Sequence, residues 1–238
     1  MGILDGLSGL FGRKNVTQKE DVKQKDNFIV KAEQKEGFSE MRVGENVTKT
    51  LNLEQDSLDF LPVIRNFEEN DMFCEVVVHE KLGDNIGAFI ARVKVRPNGN
   101  TGIDYVMKSD LAEYKITEDE VLDISSRNIK NAKLKIEGMS DSTTGDTMIS
   151  ISSQIGLATC ILYDGNFIDK LKADIQVDEL YVTIINSGTV LLTKPNSSFE
   201  KDFERIALEN TYHDVVTLHS STYLWVNQTL KLIKKYRD

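Results

Sequence analysis

The stretch that most constrains this chain is Thr147–Lys194, TMISISSQIGLATCILYDGNFIDKLKADIQVDELYVTIINSGTVLLTK, which holds its densest apolar material. Met148, Ile149 and Ile151 lead into Leu157–Leu162, a near-continuous apolar run bounded by Gly156 and Gly165. Such a run predicts a strand buried on both faces. Asp164 or Asn166 then caps a short helix whose inward side is Phe167, Ile168, Leu171 and Ile175 at helical spacing. Leu180–Ile185 and Thr189–Thr193 are β-branched runs around Asn186-Ser187-Gly188, residues that tolerate the positive φ of a tight hairpin turn. Strand, short helix and hairpin make a folding nucleus, and nothing in the stretch marks an active site.

Composition narrows the function classes. The chain has 238 residues, 40% of them hydrophobic and 28% charged, with a net charge of −9. That balance supports a buried core and a soluble surface, and it argues against a duplex nucleic-acid binder, which needs a basic face for phosphates. The two cysteines, Cys74 and Cys160, lie in apolar runs and read as buried free thiols, pointing to a reducing cytoplasm. No run approaches the roughly 18–20 apolar residues that span a bilayer.

Three regions follow. Residues 1–14 form an amphipathic leader in which Ile3, Leu4, Leu7, Leu10 and Phe11 share one helical face opposite Asp5 and Ser8. Its four glycines make it a poor helix in water, so it gains structure only by laying that face on something. Three receivers are open: its own domain, a partner (including another copy of the chain), or a membrane surface. Residues 15–47 are a polar tether with a possible strand at Asn27–Ala32. Too little apolar area is present there to offset the entropy of ordering. Residues 48–238 form a single domain.

Within that domain, Leu58–Arg65 and Met72–His79 read as strands, and Ile86–Arg96 as a half-buried strand turning at Asn98-Gly99-Asn100 into Thr101–Met107. Thr117-Glu118-Asp119-Glu120 is a capping box that opens a helix with Val121 and Ile124 inward. Gly138–Asp146 reads as a loop. Ser197–Glu200 starts a second capped helix with Phe199, Phe203, Ile206 and Ala207 on one stripe. Val215–Leu218, Tyr223–Val226 and Thr229–Ile233 are short strands, the last two joined by a turn at Asn227-Gln228. The expected class is α+β, a mainly antiparallel sheet of hairpins with two or three helices packed on one side.

The order of several segments resembles the YtpQ-like family of uncharacterised proteins from Gram-positive bacteria. The matching positions are Pro62–Arg65, the Glu118–Ile129 helix, Leu157–Asp164 running into Phe167–Leu171, the Glu179–Leu192 hairpin and Val215–Leu224, covering roughly residues 58–233. The resemblance implies a fold and a bacterial or bacteriophage context. The family has no established chemistry to carry over. Members tend to have a polar Asp-Gly-Tyr-Asp-like sequence where this chain has Gln154-Ile155-Gly156-Leu157, and a proline and acidic turn where it has Ile185–Gly188.

No pattern of residues marks a reaction. His79, His213 and His219 lack metal-ligand spacing with each other or with the cysteines. No nucleophile elbow and no phosphate-cradling glycine loop occur. Arg65 reads as the partner of an acidic neighbour at a strand end, with anion binding the alternative. Acidic pairs such as Glu68-Glu69 and Asp119-Glu120 read as surface or cap. Tyr223 and Trp225, with Tyr212 nearby, read as core edge or interface anchors. The leading expectation is a non-enzymatic, cytoplasmic interaction or assembly protein without cofactors or metals. It docks through Ile3, Leu4, Leu7, Leu10 and Phe11 to a protein partner or to other copies of itself. A small hydrolase or ligand-binding enzyme and a peripheral membrane protein are the alternatives.

Overall fold

A computed structural model describes residues 51–68, 71–95, 101–210 and 218–236. The leader with its five apolar residues, the tether and its possible strand, the Asn98–Asn100 turn, Tyr212, His213 and most of Val215–Leu218 lie outside the described residues.

The chain begins with α1 (Leu53–Asp56), capped by the Asn52 side chain, and a 3₁₀ turn at Ser57–Asp59. Next come β1 (Phe60–Asn66), α2 (Met72–Val76), β2 (His79–Gly83), β3 (Ile86–Val95) and β4 (Thr101–Tyr105). A helical segment follows: α3 (Asp110–Tyr114), α4 (Glu118–Arg127) and a 3₁₀ turn at Ile129–Ala132. Then β5 (Leu134–Ser140), β6 (Thr147–Ser153), a 3₁₀ turn at Ala158–Tyr163, α5 (Gly165–Asp174), β7 (Leu180–Asn186) and β8 (Thr189–Thr193). Last are α6 (Glu200–Glu209), β9 (Ser221–Val226) and β10 (Thr229–Lys235).

The ten strands form one sheet in the order β1-β3-β2-β10-β9-β7-β8-β6-β5, with β4 paired to β3 alongside. Every pairing is antiparallel except β2–β10, a single parallel bridge between Gly83 and Leu230. The class is therefore α+β. The sheet is strongly curved. Six spacings of about 4.8 Å would set β1 and β8 about 29 Å apart on a flat sheet. Yet the Ala158–Tyr163 turn, about 12 Å long at 2 Å per residue, touches both.

The inner face holds the main core. Ile64, Ile86, Ala88, Ile149, Ile151, Val182, Ile184, Val190, Leu192, Tyr223, Trp225 and Leu230 close around Ile161, Leu162, Ile168 and Leu171 from the 3₁₀ turn and α5. Farther along β1 and β3, the same face packs Phe60 and Ile90 against Tyr114 of α3 and Val121 of α4. On the other face, α6 adds a helix of its own, laying Phe199, Phe203 and Ala207 on Met148, Ile185 and Leu191.

Several local expectations hold. Thr117 caps α4, its hydroxyl accepting from the Glu120 amide while the Glu120 carboxylate accepts from the Thr117 amide. Thr117→Ala is expected to cost about 1 kcal/mol, read as the shift in a urea midpoint with the slope unchanged. Asp164 caps α5 through the Phe167 amide. Tyr223 and Trp225 are buried, as the core-edge reading requires.

Five expectations need correction. Met72–His79 is not one strand: Asp71 accepts from the Phe73 amide and starts α2, and the strand begins only at His79. Leu157–Leu162 is buried as expected but is coiled, because the Thr159 amide and hydroxyl both donate to the Ser187 carbonyl and draw the run across the β7–β8 turn. β3 is buried on both faces through Val93, since a core forms on either side of it. Gly138–Ser140 belong to β5, held by pairing to Ile149, Met148 and Thr147, so the loop starts at Asp141. In addition, no side chain caps α6; Ser197 accepts from the Phe199 amide, and Phe199 itself is buried.

Candidate functional site

A groove of about 710 Å³ opens where β1 begins and β3 ends, beside the Ile129–Ala132 turn. Leu61, Val93 and Ile155 line it, and Leu58 (68% exposed) and Val95 (53% exposed) stand at its lips. Lys94, Lys130 and Lys133 also line it. Lys94 pairs with Asp59 at 3.4 Å, whereas Lys130 and Lys133 have no carboxylate partner among the described residues.

Local bonding fixes these residues. The Asn128 side-chain amide donates to the Ser57 carbonyl at 2.7 Å and the Phe60 carbonyl at 3.1 Å, locking the end of α4 to the turn that carries Leu58 and Asp59. Lys133 ends the second turn at φ +51°. The Thr101 hydroxyl donates to the Ile155 carbonyl at 2.9 Å, holding the loop after β6 against β4. Apolar surface beside unpaired ammonium groups suits an apolar segment carrying negative charge at its edge. Among the described residues no Ser, Thr, Cys or His side chain lines the groove.

Arg65 lies elsewhere, on the outer face of β1. Its guanidinium sits 4.0 Å from the Phe73 ring centre and 5.2 Å from that of Phe89, and it pairs with Asp71 at 3.5 Å. That is the expected ion pair with an acidic neighbour, strengthened by aromatic contact. His79 stacks on Phe89 with centroids 5.1 Å apart, and its Nδ1 lies 3.1 Å from the Val77 carbonyl oxygen. Burial pushes the nearby Tyr105 hydroxyl up to about 12, Arg65 opposing it. Burial and then the Asp71 charge raise the half-buried Cys74 thiol, so it is not primed as a nucleophile. Burial pushes Cys160 up to about 12.

Several other ionisable groups are tied into structure. Arg92 bridges Asp56 at 3.0 Å and Asp104 on the inner face. Asp146 accepts from the Ser198 amide and Lys194, and Asp141 from the Ser198 hydroxyl. Glu120 serves the helix cap, and Asp169 accepts from Trp225 Nε1 at 2.6 Å. His219 donates its backbone amide to Asn66. Among the described residues, no group of three His, Cys, Asp or Glu side chains could hold a metal ion. No helix among them is long and apolar enough to cross a membrane.

Of the residues singled out in sequence, Arg65, Cys74 and His79 are brought together, but as a packed aromatic cluster. The groove residues were missed because Leu58, Val95, Lys130 and Ile155 converge from four separate segments. No local pattern marks them: Leu58 keeps the spacing of Phe60 and Ile64 and so reads as part of β1. No family model, curated protein or solved structure matches the chain.

Proposed function

We propose that the protein is a non-enzymatic interaction or assembly protein of the cytoplasm, docking through Ile3, Leu4, Leu7, Leu10 and Phe11 to other copies of itself or to a protein partner. The observation that supports this most is the groove, with its exposed apolar lips and unpaired lysines. As a helix, residues 1–11 of the leader would measure about 16 Å. It would set its apolar face on Leu58, Leu61, Val93 and Val95 and turn Asp5 toward the lysine side. Kinship to the YtpQ-like family belongs to the same proposal and rests on the segments quoted above.

Light scattering tests it. The full chain is expected to form leader-dependent assemblies that disappear when residues 1–12 are removed. The melting temperature should move by less than about 3 °C, the shift that about 1 kcal/mol produces in a chain of this size. Leu58→Glu and Val95→Glu, both at exposed positions, are expected to weaken the assemblies at least about tenfold. Assemblies indifferent to the deletion, or a body that melts on losing the leader, would defeat the reading.

The same groove favours one second reading, contact with an anionic membrane, since each lysine near such a surface contributes about 1 kcal/mol. Flotation with phosphatidylserine vesicles that is lost in Lys130→Glu/Lys133→Glu would select it.

A further inference from the structure

The two ends of the curved sheet are treated differently. At one end, β1 carries Pro62, which has no amide hydrogen to offer, and the Ala158–Tyr163 turn touches the strand. At the other end, β5 runs seven residues without proline, and its register to β6 is unbroken from Leu134 opposite Ser153 to Ser140 opposite Thr147. Among the described residues no strand pairs with its outer side. Natural sheets blunt such an edge with a bulge, a proline or a cover, because an open one is a template for another strand.

The side chains of β5 say which strand fits. Leu134 and Ile136 point inward and rest half-buried on the main core, while Lys135 and Glu137 share the outer face and pair with each other at 2.8 Å. Suppose two copies of one strand pair antiparallel across a two-fold axis, with their inner faces on the same side. Successive side chains alternate, so the register must then be centred on a residue and not between two. Centring on Ile136 sets Lys135 opposite Glu137 of the second copy, twice over. It also sets Ile136 opposite Ile136, and Leu134 opposite Gly138, which has no side chain to crowd it. Centring on Lys135 or on Glu137 sets like charges against each other.

We propose that β5 is a self-association edge, pairing antiparallel with β5 of a second copy about Ile136 to continue the sheet through a two-fold dimer. This contact is independent of the leader. A junction of one strand from each copy is small, so the dimer forms at tens to hundreds of micromolar.

Sedimentation velocity on the full chain, and on the chain lacking residues 1–12, tests it over about 10 to about 500 µM. Both chains are expected to show a concentration-dependent dimer step. Lys135→Glu alone or Glu137→Lys alone sets like charges across the junction and should weaken dimerisation at least about tenfold. The double variant Lys135→Glu/Glu137→Lys restores opposite charges and should return to within about threefold of the parent. Lys135 is exposed and Glu137 half-buried, so thermal melts check that each of the three variants is folded. Monomer throughout the range overturns the proposal, as would be seen if a segment of the same chain covers the edge. So do single reversals without effect, or a double variant that fails to recover. Loss of all association on removing residues 1–12 also overturns it. A deletion that changes nothing defeats the leader reading instead and leaves this one standing.

Discussion

Gly83→Ala is expected to break the sheet at its weakest junction, lowering stability by about 3 kcal/mol or more. A Cβ built at Gly83 would lie 1.9 Å from the Leu230 carbonyl oxygen and 2.6 Å from its carbon. These are backbone atoms, so no rotamer change relieves the clash. Gly83 and Leu230 are also the only bridged pair between β2 and β10, reinforced by the Asp84 amide donating to the Leu230 carbonyl at 2.9 Å. Separation there divides a half containing β1–β4 from one containing β5–β10. Amide exchange should accelerate first in β2 and β10, while β7 and β8, paired on both sides, stay protected longest. A variant melting within about 2 °C of the parent would show that the two halves are held by something other than this junction.

Arg92→Met is expected to cost about 3–5 kcal/mol, the usual consequence of removing one partner from a buried ion pair. Arg92 is 4% exposed and Asp56 7%. The guanidinium donates to Asp56 at 3.0 Å and Tyr114 Oη at 3.2 Å, and also to Asp104. Tyr114 donates in turn to Asp56 at 2.9 Å. Arg92 Nε is buried with no partner among the described residues, so the arrangement is already incompletely satisfied. Burial pushes the Asp56 carboxyl up, and bonds from Tyr114, the Asn52 amide and Arg92 outweigh it, leaving a net depression. A depressed carboxylate contributes stability above its unfolded value of about 3.9 and loses that contribution as pH falls through the folded value. The parent should therefore weaken below about pH 4. In Arg92→Met the cation is gone and burial counts for more, so the deficit relative to the parent should narrow in the same range. Adding Asp56→Asn should recover part of the loss at neutral pH. Urea midpoints of the parent and both variants at pH 7 and pH 3.5 check both claims, and a constant deficit across pH would assign the loss to packing alone.

What the sequence disclosed was local. Thr117 with Glu120, and Asp164 before Phe167, state their caps within four residues, and Asn186-Ser187-Gly188 states its turn, though none of its three residues takes the expected positive φ. Met72–Val78 and Leu157–Leu162 were misread because a short apolar run has no period of its own. In each case a neighbour decided: the Asp71 carboxylate two residues from Phe73 in one, the Ser187 carbonyl 28 residues from Thr159 in the other. The sheet order was hidden for the same reason, since the Gly83–Leu230 pairing spans most of the chain and no alternation pattern announces a parallel bridge. The groove depends on that tertiary arrangement and could not be read before it.

The position of β10 sets a schedule for the nascent polypeptide. Thr229–Lys235 is the last strand among the described residues to leave the ribosome, yet it stands between β2 and β9, inside the sheet. Everything from β1 to β4 can pair early, but no strand pairing joins it to the later strands until β10 emerges. During that wait β2 shows an open side to every neighbouring chain on the same message. Crowded translation, more than any property of the finished molecule, is where this architecture is most exposed to mispairing.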